Sequence, residues 1–316
     1  MAWREAAELL RRYSFGLALL LTLALLIVNL IRSPDFGWAD QLASLAPLAI
    51  AAMASTPAVI SGGGGFDLSV SPLMILTAGI YIVHLEPNGL GGAEAVPILL
   101  AVGAAVGLLN GVLINVLRVP PVVVTLSMFF ILIGANLEVI PQPEQVDLTW
   151  MQYLSGWVGP IPGALLTIGF PLLVWAALGL VPYRRALYAV GSNDATAFSA
   201  GVSVGTVRAL AYSLGGMFAA VGGIAVVAVT STANASASQT YTLLAIAALA
   251  LGGTSLWGGR GGLIGSALGA ASLYLLGNLF VTLNVGPEWL QVIYGTMLLV
   301  AVVLVGGAAR ARPKVA

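Results

Sequence analysis

The sequence contains no cysteine, one lysine and one histidine, and these shortages exclude several classes of site. Without cysteine there are no disulfides and no thiolate metal sites. His84 has no second histidine with which to form a metal site, and we expect a solvated or interfacial role for it at the outer end of a predicted helix. The only lysine, Lys314, cannot complete a phosphate-binding GxxxxGKS/T loop, so ATP hydrolysis is not expected on this chain.

Charged residues are also scarce: 12 basic and 12 acidic side chains make up 8% of the 316 residues, and the formal net charge is zero. Soluble domains carry about 25% charged residues, so this chain has too little polar surface to face water on all sides. Hydrophobic residues make up 59% of the chain, and 39 residues are glycine, which in membrane helices indicates close packing and broken segments. We therefore predict an all-α integral membrane protein, and the charge balance does not indicate nucleic-acid binding.

Apolar runs long enough to cross a bilayer occur along the whole chain. The first, Ser14 to Ile31, follows three arginines and resembles a signal peptide, but its 18 residues exceed the ~7–15 of such a peptide and no cleavage site follows. We interpret it as the first span. A span needs ~20 mostly apolar residues, and ten segments qualify: 14–32, 41–60, 66–84, 95–117, 120–140, 161–181, 207–229, 241–256, 262–283 and 287–307. Glycine and polar residues interrupt or flank the third and eighth, which predicts broken or re-entrant segments there.

The basic residues test this count independently. With the N-terminus in the cytoplasm and each segment crossing once, eleven of the twelve basic residues lie on the cytoplasmic side and only Arg32 lies outside. Short cytoplasmic loops carry an excess of Lys and Arg, so this distribution favours an even number of crossings with both termini in the cytoplasm. In this topology segments 2–5 and 7–10 run in opposite senses, which allows an inverted repeat.

Two loops are long enough to have a function of their own. The outer loop 141–160 carries Trp150, Tyr153 and Trp157, which fit either an interfacial aromatic belt or a docking surface. The cytoplasmic loop 182–206 is longer than the ~2–8 residues that join helices in a bundle. It contains two arginines and an Asn-Asp pair at a predicted helix start. It is therefore either a plain connection or the site of a short helix along the membrane surface.

Ionisable side chains inside a membrane are costly and usually functional, but few are predicted there. Asp67 lies at the start of the third segment and Glu138 at the outer end of the fifth, and neither lies within a long apolar run. A carrier driven by protons or sodium would bury several such groups. An ion-coupled secondary carrier is therefore the weaker alternative, and the energy is expected to come from another chain.

Four motifs occur in the order found in one transporter family and together cover residues 45–285. They are ISGGGGFDLSV (60–70), GLLNG with VPPVVVTL (107–111 and 119–126), YAVGSN continuing to AFSAGV (188–202), and LGGTSLWGGRGG (251–262) with Gly277-Asn278 downstream. On these motifs the chain resembles the ribose-type monosaccharide permeases of ABC importers, within the superfamily that also holds branched-chain amino-acid permeases.

The chain departs from that family's pattern at three places. Ser71-Pro72 follows DLSV where the family has glycine, Val122 replaces a phenylalanine after the proline pair, and residues 131–134 lack the family's Arg-Gly. These positions lie in or near the expected pathway. A monosaccharide or related polyol is the expected solute, and a branched-chain amino acid, a nucleoside or a urea-like solute stays open.

The resemblance implies a type II ABC importer-like permease of about ten transmembrane helices, with residues 1–316 as a single transmembrane domain. It implies a second permease copy or a paralogue, two cytoplasmic ATP-binding subunits that hold ATP and Mg, and an extracytoplasmic solute-binding protein. No cofactor is expected on this chain. The location implied is the bacterial plasma (inner) membrane.

Loop 182–206 would then hold the coupling helix that docks into a groove of the ATPase subunit. The residues given this role are Tyr188, Gly191, Asn193, Asp194, Ala197 and Gly201. Gly191 is expected to permit a turn, and Asn193 to cap exposed N–H groups where the helix starts. The small Ala197 and Gly201 are expected to allow close seating on the partner.

The pathway is assigned to polar and glycine residues in or beside the apolar segments. They are Gly64, Phe66, Asp67, Ser69, Asn110, Thr125, Asn136 and Asn278. The run Gly62–Gly65 fits an unwound segment that lines the cavity, or tight helix packing with Asp67 accepting N–H groups at the start of the third segment. The buried amides need partners, either across helices or on a solute hydroxyl.

Overall fold

Most of the chain is helical. The structure, a computed structural model, describes residues 15–33, 35–147 and 150–286, with residues 289, 292–296 and 299 beyond them. The α-helices in this part are α1 (Gly16–Arg32), α2 (Trp38–Ile60), α3 (Val70–Gly79), α4 (Ala95–Leu117), α5 (Pro121–Val139), α6 (Ala164–Ala177), α7 (Pro182–Ser192), α8 (Asp194–Ser199), α9 (Val204–Thr230), α10 (Thr242–Leu251) and α11 (Leu263–Thr282). A π-helix at Ile80–Leu85 continues α3, and a 3₁₀ turn at Ala235–Gln239 precedes α10.

Five of these helices, α2, α4, α5, α9 and α11, are long and apolar enough to cross a membrane. α6 and α7 would together form one further span, broken and bent by 88°. α1, α3 with its π-helical continuation, and α10 with its 3₁₀ turn are apolar but shorter. The predicted count of ten is not confirmed. The tenth segment, 287–307, lies almost wholly outside the described residues. So do six of the eleven basic residues on which the predicted orientation rests, those at the two ends of the chain.

The centre of the bundle is formed by α2 and α9. In their most apolar stretches 89% and 72% of the residues are buried, against 33% in α4 and 28% in α5. α4 lies directly on α9, because Gly103, Gly107 and Gly111 recur every fourth residue along the contact. A Cβ at Gly111 would lie 2.5 Å from the Cα of Ala209, and one at Gly107 would overlap the carbonyl oxygen of Tyr212. Small residues at this spacing let two membrane helices approach backbone to backbone.

Two glycine-rich breaks interrupt the bundle where the sequence predicts them. Between α2 and α3, Gly62, Gly63 and Gly64 have φ of +73°, +63° and +74°, in the left-handed region where glycine carries no steric penalty. The second break, residues 252–262, joins α10 to α11. α3 and α10 are the short helices next to these breaks, so the prediction of broken segments is confirmed.

The two long loops both contain regular structure. In the loop 141–160, β1 (Glu144–Gln145) pairs with β4 (Thr232–Ala233), and a 3₁₀ turn covers Trp150–Leu154. At the end of the loop β2 (Trp157–Val158) pairs with β3 (Ile161–Pro162), so the predicted sixth segment begins with a strand and becomes helical at Ala164. The indole N–H of Trp150 donates to the carbonyl oxygen of Gly91 at 2.7 Å. The other long loop, 182–206, consists of α7, α8 and the first residues of α9, and so contains two short helices where one was predicted.

Candidate functional site

Three of the four sequence motifs meet at one point, which we call the glycine junction and define by Gly62, Gly191, Gly258 and Gly259. A Cβ at Gly62 would lie 2.9 Å from the Cα of Gly191, and one at Gly258 would lie 2.5 Å from the Cα of Gly62. The backbone N–H of Gly259 donates to the carbonyl oxygen of Ile60 at 2.9 Å. The end of α7 therefore lies directly against the glycine breaks that follow α2 and α10, with no room for side chains between them.

The predicted reason for Gly191 is wrong. Gly191 lies inside α7 and has no positive φ, so it does not form a turn. A Cβ at this position would overlap the carbonyl oxygen of Ile60, and this close approach of two backbones is what requires glycine. The prediction for Asn193 is confirmed, because its Oδ1 accepts the N–H of Thr196 at 3.0 Å and caps α8.

Tyr188 ties α7 to the second glycine break. Its hydroxyl donates to the carbonyl oxygen of Gly261 at 2.7 Å, and its ring meets Trp175 edge to face with centroids 6.3 Å apart. The aromatic side chain thus fixes α7 against both α6 and the segment before α11.

The remaining residues predicted for coupling lie on or after α8 and face different ways. Ala197 is 4% exposed and belongs to the apolar core of this chain, so the prediction that its small face is offered to a partner is wrong. The inward turn of Ala197 leaves the neighbouring Phe198 73% exposed. Gly201 has a φ of +83° and open space around it, so it forms the turn that ends α8. Asp194 is half exposed and binds Arg208 of α9.

Arg208 and Trp257 were not among the predicted site residues. Arg208 bonds both to Asp194 and to the first glycine break. Trp257 lies in the second break and is 76% exposed. Each has one signal that could have identified it. Arg208 is the first charged residue after the loop 182–206, and Trp257 is the aromatic residue inside a glycine-rich motif.

Five of the predicted pathway residues form one buried polar chain between α3, α4 and α5. Asp67 is 4% exposed, and its Oδ1 accepts the N–H of Ser69 at 2.9 Å and the hydroxyl of Ser69 at 2.6 Å. The Ser69 hydroxyl accepts Nδ2 of Asn110 at 2.9 Å. The hydroxyl of Thr125 donates to the carbonyl oxygen of Phe66 at 3.1 Å. Asp67 thus accepts the N–H of Ser69 just before α3. This agrees with the interpretation of Asp67 as an acceptor of N–H groups at the start of the third segment. Gly64 is exposed in the break beside this group.

Asn136 joins the starts of the two short helices. Its Nδ2 donates to the carbonyl oxygen of Pro72 at 2.9 Å and to the hydroxyl of Ser238 at 2.8 Å. Close by, the N–H of Tyr241 donates to the hydroxyl of Ser71 at 3.1 Å, so α3 and α10 begin side by side. The buried amides therefore bond across helices. Oδ1 of Asn110 and Oδ1 of Asn136 nevertheless have no hydrogen-bond partner within the described residues.

Asn278 is not brought together with the other pathway residues. Its Nδ2 donates to Oδ1 of Asn29 at 3.1 Å and to Oε1 of Gln41 at 3.3 Å, and Gln41 also accepts the hydroxyl of Tyr274 at 2.8 Å. This second polar cluster holds α1, α2 and α11 together. Across the described ranges, no group of three or more His, Asp or Glu side chains is arranged to hold a metal ion.

Comparison with known proteins agrees with the arrangement of these motifs. Residues 37–302 match the protein family described as "Branched-chain amino acid transport system / permease component". The chain is 33% identical over 301 residues to the ribose import permease protein of Escherichia coli, covering 91% of this chain and 92% of that protein. It is 28% identical over 275 residues to the fructose import permease protein of Rhizobium meliloti, covering 83% and 76%.

A third relative is the autoinducer 2 import system permease protein of Klebsiella pneumoniae, 33% identical over 222 residues and covering 65% of this chain and 61% of that protein. No solved structure matches the chain. The family model matches most of the chain, and one relative is 33% identical over nine-tenths of it. These two matches establish the family. The chain belongs to the permease family of the branched-chain amino acid and ribose-type ABC importers.

Proposed function

We propose that this chain is the transmembrane permease subunit of an ATP-driven importer and provides the pathway for a monosaccharide or related polyol. The ribose and fructose permeases among its relatives support this class of solute. The family's description names branched-chain amino acid transport, which supports a branched-chain amino acid as the second candidate. A nucleoside or a urea-like solute belongs to the same alternative. We further propose ten crossings, a single transmembrane domain over residues 1–316, and both termini in the cytoplasm of a bacterial inner-membrane protein.

The observation that carries the proposal is the fixed position of α7 and α8. Because α7 is bent by 88° from α6, it lies along the membrane surface if α6 crosses near the membrane normal. α7 contacts the ends of α2 and α10 through the glycine junction. A force applied to α7 and α8 by a partner would therefore reach both broken segments without an intervening flexible loop.

The proposed partner at this face is an ATP-binding subunit, two per transporter, with ATP and Mg held on that subunit. Tyr188, Gly191, Asn193 and Asp194 hold α7 and α8 in place, and Phe198 offers an apolar contact to the partner's groove. Exposed aromatic side chains are common anchors of protein interfaces. A second permease copy or paralogue and an extracytoplasmic solute-binding protein complete the assembly.

The proposed pathway runs beside the first glycine break. Gly64, Phe66, Asp67 and Ser69 lie in or next to this break, and Asn110, Thr125 and Asn136 lie on the helices that face it. The unpartnered Oδ1 atoms of Asn110 and Asn136 support this assignment, because each supplies an acceptor for a solute hydroxyl once the segments part. Asn278 is placed in the supporting cluster at α1 and α11.

The test is uptake of labelled ribose and fructose into proteoliposomes that contain this chain with its ATP-binding subunits and binding protein. Uptake should require all components and internal ATP, and should be lost when residues 182–206 are replaced by a flexible linker. Uptake by this chain alone in an ion gradient would support the secondary-carrier alternative instead. Uptake of leucine or a nucleoside, but of neither sugar, would support the second solute class.

A further inference from the structure

The one salt bridge in the described part of the chain joins Arg208, in the second turn of α9, to Asp194, the first residue of α8. Nη2 of the arginine lies 2.8 and 2.6 Å from the two carboxylate oxygens. The side chain of Arg208 is 16% exposed and that of Asp194 is 48% exposed. The bond therefore lies at the edge of the glycine junction, where α8 meets the rest of the protein.

The same guanidinium also reaches the first glycine break. Its Nε lies 3.4 Å from the carbonyl oxygen of Ser61, and a Cβ at Gly63 would lie 2.5 Å from Nη2. Six residues beyond Ser61 the chain reaches the buried carboxylate of Asp67. Arg208 thus contacts both the start of α8 and the segment that leads to the polar chain at Asp67.

The ion pair is poorly suited to a role in stability alone. Pairs in contact with water are screened and lose side-chain entropy, so they contribute little to folding. The planar guanidinium, by contrast, holds two acceptors in a fixed relative position, which a flexible ammonium group does not. We therefore explain Arg208 by what it holds in place: the carboxylate of Asp194 and the carbonyl oxygen of Ser61.

We propose that Arg208 is a positioning residue that fixes α8 to the break between α2 and α3, so that movement of α8 is passed to the segment carrying Asp67. The proposal rests on the proposed function, since it assumes that a partner ATPase acts on α8. Without the Arg208 bond, α8 moves but does not displace the break between α2 and α3, so ATP is hydrolysed without a matching transport of solute.

The test measures solute molecules imported per ATP hydrolysed, in the complete transporter in proteoliposomes, for Arg208→Gln, Asp194→Asn and the double variant. We expect each single variant to lower this ratio about tenfold, within the range of typical coupling between sites. Because both changes break the same bond, the double variant should fall no further than either single one. Arg118→Gln, a change of an exposed arginine at the end of α4, is the matched control and should keep the normal ratio.

Two results would overturn the role of Arg208. If the losses of the two single variants multiply in the double variant, Arg208 and Asp194 act separately. If the variants fail to assemble with the ATP-binding subunits, or if a loss of folded protein accounts for the whole loss of uptake, the pair is structural. Failure of the proposed function gives a different result, because the unsubstituted complex would then show no ATP-driven uptake at all.

Discussion

Replacing Gly191 by alanine adds one methyl group to the most crowded point of the glycine junction. The new Cβ would overlap the carbonyl oxygen of Ile60 and lie 2.6 Å from the backbone nitrogen of Gly259, where ordinary contacts begin at 3.4 Å. Both obstacles are backbone atoms, so neither can rotate away. Relief of the Gly259 contact alone requires about 0.8 Å of movement, and relief of the overlap with Ile60 requires α7 to move further. Overpacking of this kind costs roughly 1–3 kcal/mol. We expect about 3 kcal/mol here, because relief requires the displacement of a whole helix.

A cost of about 3 kcal/mol lowers the equilibrium constant for forming the closed junction about a hundredfold. It should lower the Tm of the purified transporter by about 5 °C, since an unfolding entropy of ~2.1 cal/mol/K per residue makes 1 kcal/mol worth roughly 1.5 °C in a chain of 316 residues. The measurements are thermal unfolding in detergent and ATP-driven uptake in proteoliposomes. We expect uptake to fall more steeply than the amount of folded protein, because the junction lies between α7 and both breaks.

Gly169→Ala is the matched control. Gly169 lies in α6, and a Cβ there meets nothing within 4 Å. This variant should be at least as stable as the unsubstituted protein and should transport like it. Equal melting temperatures and equal uptake in the Gly191 and Gly169 variants would show that α7 does not lie on the end of α2, and the reasoning would be refuted.

Three further changes separate the roles of other residues. Phe198→Ala should weaken binding of the ATP-binding subunit by about 1–2 kcal/mol, measured by co-purification at increasing dilution. The Tm of this chain alone should stay the same, because the side chain is 73% exposed. An unchanged affinity would exclude Phe198 as an anchor. Asn136→Ala leaves the Pro72 carbonyl oxygen and the Ser238 hydroxyl without their donor, so we expect a loss of about 1–3 kcal/mol in stability together with slower uptake. Asn278→Ala should cost about 1 kcal/mol in stability but leave the KM for solute unchanged, and a raised KM would place it in the pathway after all.

Local signals in the sequence predicted local structure well. The cap at Asn193 depends on bonds three residues away, and the breaks at 62–65 and 252–262 depend on glycine runs, so both can be inferred from a short window. The acceptor role of Asp67 toward Ser69 is equally local. Apolar length likewise identified most of the helices, and the weak third and eighth segments are among those that the structure makes short.

Contacts between distant segments were harder to predict. The need for glycine at 191 comes from Ile60, more than a hundred residues earlier. α8 has only six residues, too few for an apolar face to be recognised, so the inward direction of Ala197 was not predictable. The bond of Arg208 to Ser61 likewise depends on tertiary packing alone.

The glycine row of α4 limits how this protein can change shape. Gly103, Gly107 and Gly111 bring the backbone of α4 into the grooves of α9, and without side chains between them the two helices have no layer on which to slide or roll. The two helices therefore move as one rigid unit. Since α9 also carries Arg208, any tilt of this unit displaces the backbone at Ser61. A change of shape in the protein then has to come from bending at the glycine breaks, while α4 and α9 keep their register.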